Sequence, residues 1–184
     1  DAELAAQIAT AAGRILLQVR DCGLFTDKAL GDAGDGVAQA FISRALNAAR
    51  PGDAVLSEEE AANASRTGAS RVWIVDPLDG TNEFGEPGRS DWAVHVALWE
   101  RGELVAGAVA LPDHGITFST DPAPPLPPTT RERPRLITSR NRAPYAAIRV
   151  ANELECDAVR LGSAGAKAMA VVIGEADIYV HDGG

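Results

Sequence analysis

Helical periodicity at the front of the chain, strand-like runs joined by a hairpin signal in the middle and a strand-helix alternation at the back predict a mixed fold of the α/β (α+β) class. From Ala2 to Arg20, the apolar residues Leu4, Ile8, Ala11, Ile15 and Val19 recur at intervals of three and four, the stripe of an amphipathic helix. A second helix is expected from about Asp35 to Ala49, where Val37, Phe41, Ile42 and Leu46 keep the same period and Asp35 stands at the N-cap. Pro51-Gly52-Asp53 ends it in a turn.

Short apolar runs then predict strands over Ala54 to Leu56 and Val72 to Val75, and the β-branched content of the second suits burial on both faces. Asp91 to Trp99 reads as a longer strand, Arg101-Gly102 as a hairpin turn and Leu104 to Leu111 as its partner, with Ile116 to Ser119 extending the meander. Six prolines between Pro122 and Pro134 remove ladder donors and helix hydrogen bonds, so this stretch reads as a linker and domain boundary. Beyond it, strands are expected at Arg135 to Thr138, Ala158 to Leu161 and Asp177 to Val180, with helices at Pro144 to Leu154 and Ser163 to Ile173.

Of the 184 residues, 46% are hydrophobic and 23% charged, which supports a buried core and excludes a disordered tail. No apolar stretch approaches the ~18 residues of a membrane span. The formal net charge of −9 disfavours a polyanionic partner such as a nucleic-acid polymer. A small phosphate ligand is compatible with it, because carboxylates hold the cations that hold phosphate. Cys22 and Cys156 are too few for a disulfide framework and lack metal-ligand spacing, which fits a reducing cytoplasm. Asp1-Ala2-Glu3-Leu4 shows neither a basic nor an apolar leader region, and Met169 is the only methionine, so the expectation is a cytoplasmic chain lacking its start residue.

The chemistry-bearing segment is Val72-Trp73-Ile74-Val75-Asp76-Pro77-Leu78-Asp79-Gly80-Thr81. A strand is expected to end at Asp76, where Pro77 denies the ladder a donor, and Asp79-Gly80-Thr81 starts a helical turn. Such bends at strand carboxyl ends are where α/β sheets place ligands. Asp76 and Asp79 lie three apart across the bend; two carboxylates about 4 Å apart repel by roughly 4 kcal/mol at an effective dielectric of 20, a cost that a cation reverses. All-oxygen ligands suit a hard divalent ion such as magnesium rather than zinc. Capping alone also accounts for this Asp-x-x-Asp, and the acidic Ser57-Glu58-Glu59-Glu60 run reads equally as a metal-facing group or a solvated helix start. Trp73, Trp92 and Trp99 read as packing residues, and His95 and His114 as structural.

Asp76-Pro77-Leu78-Asp79-Gly80-Thr81 resembles the D-P-[IL]-D-G-[TS] signature of the inositol monophosphatase superfamily, which specifies turn, ligands and phosphate loop together. Ser57-Glu58-Glu59 is similar to the glutamate motif that precedes it there. Continued through Asn82-Glu83-Phe84, the run D-P-L-D-G-T-N-E-F is closer to the D-G-T-K-E-F of CysQ-type 3'(2'),5'-bisphosphate nucleotidases than to inositol-phosphate enzymes. Asp35 resembles the aspartate of the family's second helix, which works with the signature threonine. Ser139-Arg140-Asn141-Arg142 resembles S-R-S-H, with Arg142 replacing the histidine, and Gly162-Ser163-Ala164-Gly165-Ala166-Lys167 resembles G-S-S-L-K. The order of elements matches through nearly the whole chain, and the family's W-D-x-A-A segment, whose aspartate is a further metal ligand, is expected beyond Gly184.

The resemblance implies a layered αβαβα sandwich of the sugar-phosphatase type, with an amino-terminal domain over residues 1–121, a linker over 122–134 and an incomplete carboxy-terminal domain over 135–184. It implies two or three magnesium ions, with Glu58, Asp76 and the Leu78 carbonyl at one and Asp76 and Asp79 at a second. Glu58, Thr81 and Asp35 would orient or deprotonate water. Gly80 and Thr81 would hold the phosphate, and Arg140, Arg142, Ser163 and Lys167 would contact the rest of the substrate. The implied activity is hydrolysis of a small phosphate monoester, foremost the 3'-phosphate of adenosine 3',5'-bisphosphate or its sulfated form in sulfur assimilation. Inositol phosphate or fructose bisphosphate hydrolysis, and a non-catalytic metal- or nucleotide-binding role, stay open as alternatives. Lithium inhibition and a homodimer are compatible with the family.

Overall fold

The computed structural model describes residues 1–57, 68–128 and 131–181. Helix α1 (Ala2–Asp21) forms as its periodicity predicts, but its buried stripe is Ala5, Ile8, Ala9, Ala12 and Leu16, rotated towards the alanines. Small side chains let this face lie close on the sheet, while Leu4 and Val19 pack at its margin.

Helix α2 (Asp27–Ala49) starts about two turns earlier than its sequence suggests, and Asp35 lies inside it rather than at its N-cap. Gly31, Gly34 and Gly36 read locally as helix breakers. Packing overrides them: a Cβ on Gly31 would stand 2.6 Å from Thr81 Cγ2, and one on Gly34 would stand 2.6 Å from Phe84. Gly31 and Gly34 are therefore the contact surface on which the loop after the second strand sits, whereas a Cβ on Gly36 would meet nothing within 4 Å.

Strands β1 (Ala54–Ser57), β2 (Arg71–Asp79), β3 (Ala93–Glu100), β4 (Glu103–Leu111) and β5 (Ile116–Ser119) form one sheet in the order β1-β2-β3-β4-β5. β1 and β2 are parallel and the rest antiparallel, and the β3-β4 hairpin turns through Arg101 and Gly102, both at positive φ. α1 and α2 cover one face, and Leu16, Ile42, Leu46, Trp73, Phe84, Trp92 and Leu98 form the core beneath them. The expectation that Val72 to Val75 is buried on both faces fails at Ile74, which is 37% exposed on the side away from the helices.

A second, parallel sheet is built from β6 (Arg135–Ser139), β7 (Asp157–Leu161) and β8 (Ile178–Tyr179) in the order β7-β6-β8, with helices α4 (Tyr145–Glu153) and α5 (Ala164–Val172) in the connections. α5 joins the two sheets. Its Ala166 packs with Ala93 and Leu111 of the first sheet, and its Ala170 packs with Ile137 of the second. This places the start of α5 against the end of β2. Among the described residues, no helix is long and apolar enough to cross a membrane.

Candidate active site

β2 does not end at Asp76. It runs through Pro77 to Asp79, with the register moving from Asp76 opposite His95 to Asp79 opposite Ala93. One extra residue on β2 makes this a bulge, and a bulge is where a proline fits, since no ladder bond needs its missing N–H. The Leu78 amide donates to Asp76 Oδ1 at 3.2 Å, which turns the chain locally.

Gly80 follows at φ +95, and a Cβ there would meet Ser163 Cβ at 3.1 Å and the Asp91 carbonyl oxygen and Trp92 Cβ at 3.2 Å each. Both the backbone conformation and the crowding require glycine. The short helix α3 (Thr81–Gly85) then begins, anchored by Phe84, which is fully buried edge-on to Trp92 at 4.9 Å between centroids, with Arg20 over both rings. Burying that phenyl ring contributes roughly 2–3 kcal/mol. The Thr81 hydroxyl donates to the Leu78 carbonyl at 3.1 Å, leaving that oxygen one further lone pair.

Asp79 ties the two sheets together. Its Oδ2 lies 2.7 Å from Ser163 Oγ, 2.6 Å from the Gly165 amide nitrogen and 3.0 Å from His95 Nε2, and its Oδ1 accepts from the Ala164 amide at 3.2 Å. The carboxylate thus caps α5, whose N-terminal amides need an acceptor. Burial alone would raise its pKa, but the bonds from His95, Gly165 and Ser163 outweigh it and lower the pKa to about 2.

A second clasp lies beside the first. Arg89 donates from Nε to Asp91 Oδ1 at 2.7 Å and from Nη2 to Asp91 Oδ2, while Asp91 Oδ2 also accepts from the Gly162 amide at 2.6 Å. Burial opposes ionisation of Asp91, yet the Arg89 and Gly162 bonds hold its carboxyl below the ordinary range. A group depressed in the folded state adds stability that is present above its unfolded value, near 3.9, and is lost as pH falls through the folded value. We expect Asp91→Asn to lose about 2 kcal/mol at pH 7 and less below pH 3, measured by urea unfolding at both pH values. A loss independent of pH would show that the Asp91 charge is not what holds Gly162.

Arg140, at the end of β6, forks onto Glu86 with two bonds of 2.7 Å and sits 2.9 Å from Glu83 Oε1, an ion pair without hydrogen-bond alignment. Its fork is engaged by carboxylates of α3 and the residue after it. Glu83 is 4% exposed and so close to Gly162 that a Cβ there would fall 2.0 Å from its Cδ. Lys167 is 3% exposed rather than solvated. Its Nζ donates to the Gly162 carbonyl and lies 5.7 Å from the Tyr179 ring centroid. Burial lowers its pKa, and the neighbouring Asp79, Glu83 and Asp91 act against that.

The structure therefore brings Asp76, Leu78, Asp79, Gly80, Thr81, Ser163 and Lys167 to one junction. Asp35 follows Gly31 by four residues, so it shares the α2 face that meets Thr81. Arg142 is exposed just beyond β6 and, among the described residues, its guanidinium forms no ion pair. Glu58, Glu59 and Glu60 lie outside the described residues. A cavity of about 420 Å³ opens beside Thr81, lined also by Lys28, Asp32, Asn82, Glu86 and Arg140. His95, Asp91, Arg89 and Glu83 were absent from the sequence-based site. Glu83 alone carried a usable signal, as part of the Asn82-Glu83-Phe84 run, whereas the pairing that sets His95 opposite Asp76 joins β2 and β3 and no turn signal specifies it.

The donors at the end of β2 are the carboxylates of Asp76 and Asp79 and the Leu78 carbonyl. They fit a hard divalent cation in kind. Among the described residues, no group of three or more acidic, histidine or cysteine side chains stands ready for a metal.

The profile of the inositol monophosphatase family matches residues 2–184. A 3'-phosphoadenosine 5'-phosphate phosphatase of Mycobacterium leprae is 47% identical over all of this chain and 73% of its own length. Among solved structures, inositol monophosphatase II of Staphylococcus aureus superposes with a TM-score of 0.78 at 22% identity, covering 96% of this chain and 73% of that one. CysQ of Bacteroides thetaiotaomicron, an inositol monophosphatase family member, gives 0.77 at 23% identity, over 97% of this chain and 78% of that one. At such identities the two structures speak for the fold, an α/β sandwich of the kind predicted.

Proposed function

We propose, because this chain belongs to the inositol monophosphatase family, that it is a phosphatase that removes the 3'-phosphate of adenosine 3',5'-bisphosphate, with the sulfated nucleotide as an alternative substrate. The observation that carries this reading is the 47% identity over the whole chain to an enzyme named for that substrate. Cytoplasmic sulfur metabolism is the setting the reading implies.

Magnesium held by Asp76, Asp79, the Leu78 carbonyl and Glu58 would supply Lewis acidity and lower the pKa of water. This chain's own residues do the rest. The Gly80 and Thr81 amides hold the phosphate at the end of β2, where the crowding of Gly80 keeps the turn in one conformation. Thr81 and Asp35 orient the attacking water and Glu58 takes its proton, so that the oxygen reaches phosphorus opposite the leaving 3'-oxygen. The Asp79 and Asp91 clasps keep the start of α5 against this turn, which excludes bulk water from one side.

The second phosphate of the nucleotide needs cations in a chain of net charge −9. Arg142 has a guanidinium available, and Lys167 is the buried cation nearest the junction; Arg140 acts by holding Glu83 and Glu86 in place. One charge-assisted contact contributes roughly 1.5–3 kcal/mol, enough for about tenfold or more in preference. We expect a higher kcat/KM for adenosine 3',5'-bisphosphate than for inositol 1-phosphate in magnesium-dependent phosphate release, and a narrower ratio in Arg142→Ala and Lys167→Ala. A wild-type preference for inositol phosphate would refute the nucleotide reading, and equal losses on both substrates would move these residues to the shared phosphate or the fold.

A further inference from the structure

His95 sits on β3 directly opposite Asp76, and its Nε2 lies 3.0 Å from Asp79 Oδ2. The start of α5 is shaped around this ring: a Cβ on Gly165 would fall 2.3 Å from His95 Nε2 and 3.0 Å from Asp79 Oδ2. Helix glycine is costly, so its presence two residues into α5 answers to that close approach. The two oxygens of Asp79 are unequally engaged. Oδ2 faces Ser163, Gly165 and His95, whereas among the described residues Oδ1 accepts from the Ala164 amide alone, at a longer 3.2 Å. Two of a carboxylate oxygen's lone pairs cannot serve more than these donors, so Oδ1 is the atom with capacity for another ligand. Of the four groups that hold Asp79, three belong to the α5 start and only His95 comes from Asp79's own sheet.

We infer that His95 is a positioning residue: its Nε2–H donates to Asp79 Oδ2, anchors the carboxylate to β3 and leaves Oδ1 facing the divalent cation. The inference rests on the magnesium reading proposed above. Partners that orient ligand side chains change metal affinity by 10- to 100-fold when removed.

The test uses the full-length protein, with Mg²⁺ and Mn²⁺ binding measured by calorimetry in the absence of substrate and turnover measured against metal concentration. His95→Leu should weaken cation binding about tenfold or more and raise the metal requirement more than it lowers kcat at saturating metal. His95→Gln, whose amide can donate from the same place, should recover most of the affinity. Because the chain has only three histidines, ¹⁵N-histidine spectra can assign His95 by its loss in His95→Gln, and its ring should be protonated at Nε2. A ring protonated only at Nδ1 overturns the inference even where His95→Leu fails to fold, and so does unchanged metal affinity in a folded His95→Leu. Wild-type protein that binds neither cation overturns the metal reading itself, and this inference with it.

Discussion

Asp79→Asn is expected to reduce phosphate release by on the order of 10²-fold or more at saturating magnesium, the scale of losing a preorganised electrostatic group. The substitution keeps the side chain's shape. It removes the charge that would meet the cation and turns one end of the group into an N–H₂, which cannot accept from Ser163, Gly165, Ala164 or His95. A smaller structural loss should accompany it, because α5 loses part of its cap; charge-assisted bonds of this kind contribute about 1.5–3 kcal/mol each. Steady-state kinetics and urea unfolding on the same preparation separate the two effects. Turnover within a few fold of wild type would remove Asp79 from the reaction and leave it as the cap of α5.

Arg140→Met should be the most destabilising change near the junction, costing about 3 kcal/mol or more by urea unfolding. Glu83 is almost completely buried, and without the guanidinium its carboxylate stays between α3 and Gly162 with Lys167 and Arg89 nearby but, among the described residues, no cation at ion-pair distance. Breaking a buried pair from one side costs about 3–5 kcal/mol for this reason. Glu83→Gln in the same chain should recover a large part of the loss, since it removes the stranded charge and nearly keeps the volume. A single-variant loss below about 1 kcal/mol would show that water reaches Glu83 and that the pair does not join the sheets.

Local physical chemistry was enough to locate most elements of this chain and to mark the end of β2 as the proposed site. Periodicity in α1, the alternation in the β3-β4 hairpin and the small residues of α5 each report a near-neighbour preference, so they survive into the fold with boundary shifts of a residue or two. Asp76, Asp79, Gly80 and Thr81 were legible for the same reason: the proposed ligands and the turn lie within one short segment, and the glycine's positive φ is a local demand. The misreadings have one cause. The early start of α2 and the passage of β2 through Pro77 both run against local propensity, and both are decided by partners distant in sequence, Thr81 and Phe84 in one case and the bulged pairing with β3 in the other.

By itself, then, the sequence determined the element types, the anionic surface and the acidic turn, because these depend on side chains that are neighbours along the chain. Only the tertiary structure decided that Asp79 caps α5, that Arg140 is held by Glu83 and Glu86 rather than left facing solvent, and that His95 reaches a carboxylate from another strand. Those contacts join residues 16 to 86 positions apart, and a hydrogen bond or ion pair forms only within about 3–4 Å, a distance that no spacing along the chain specifies.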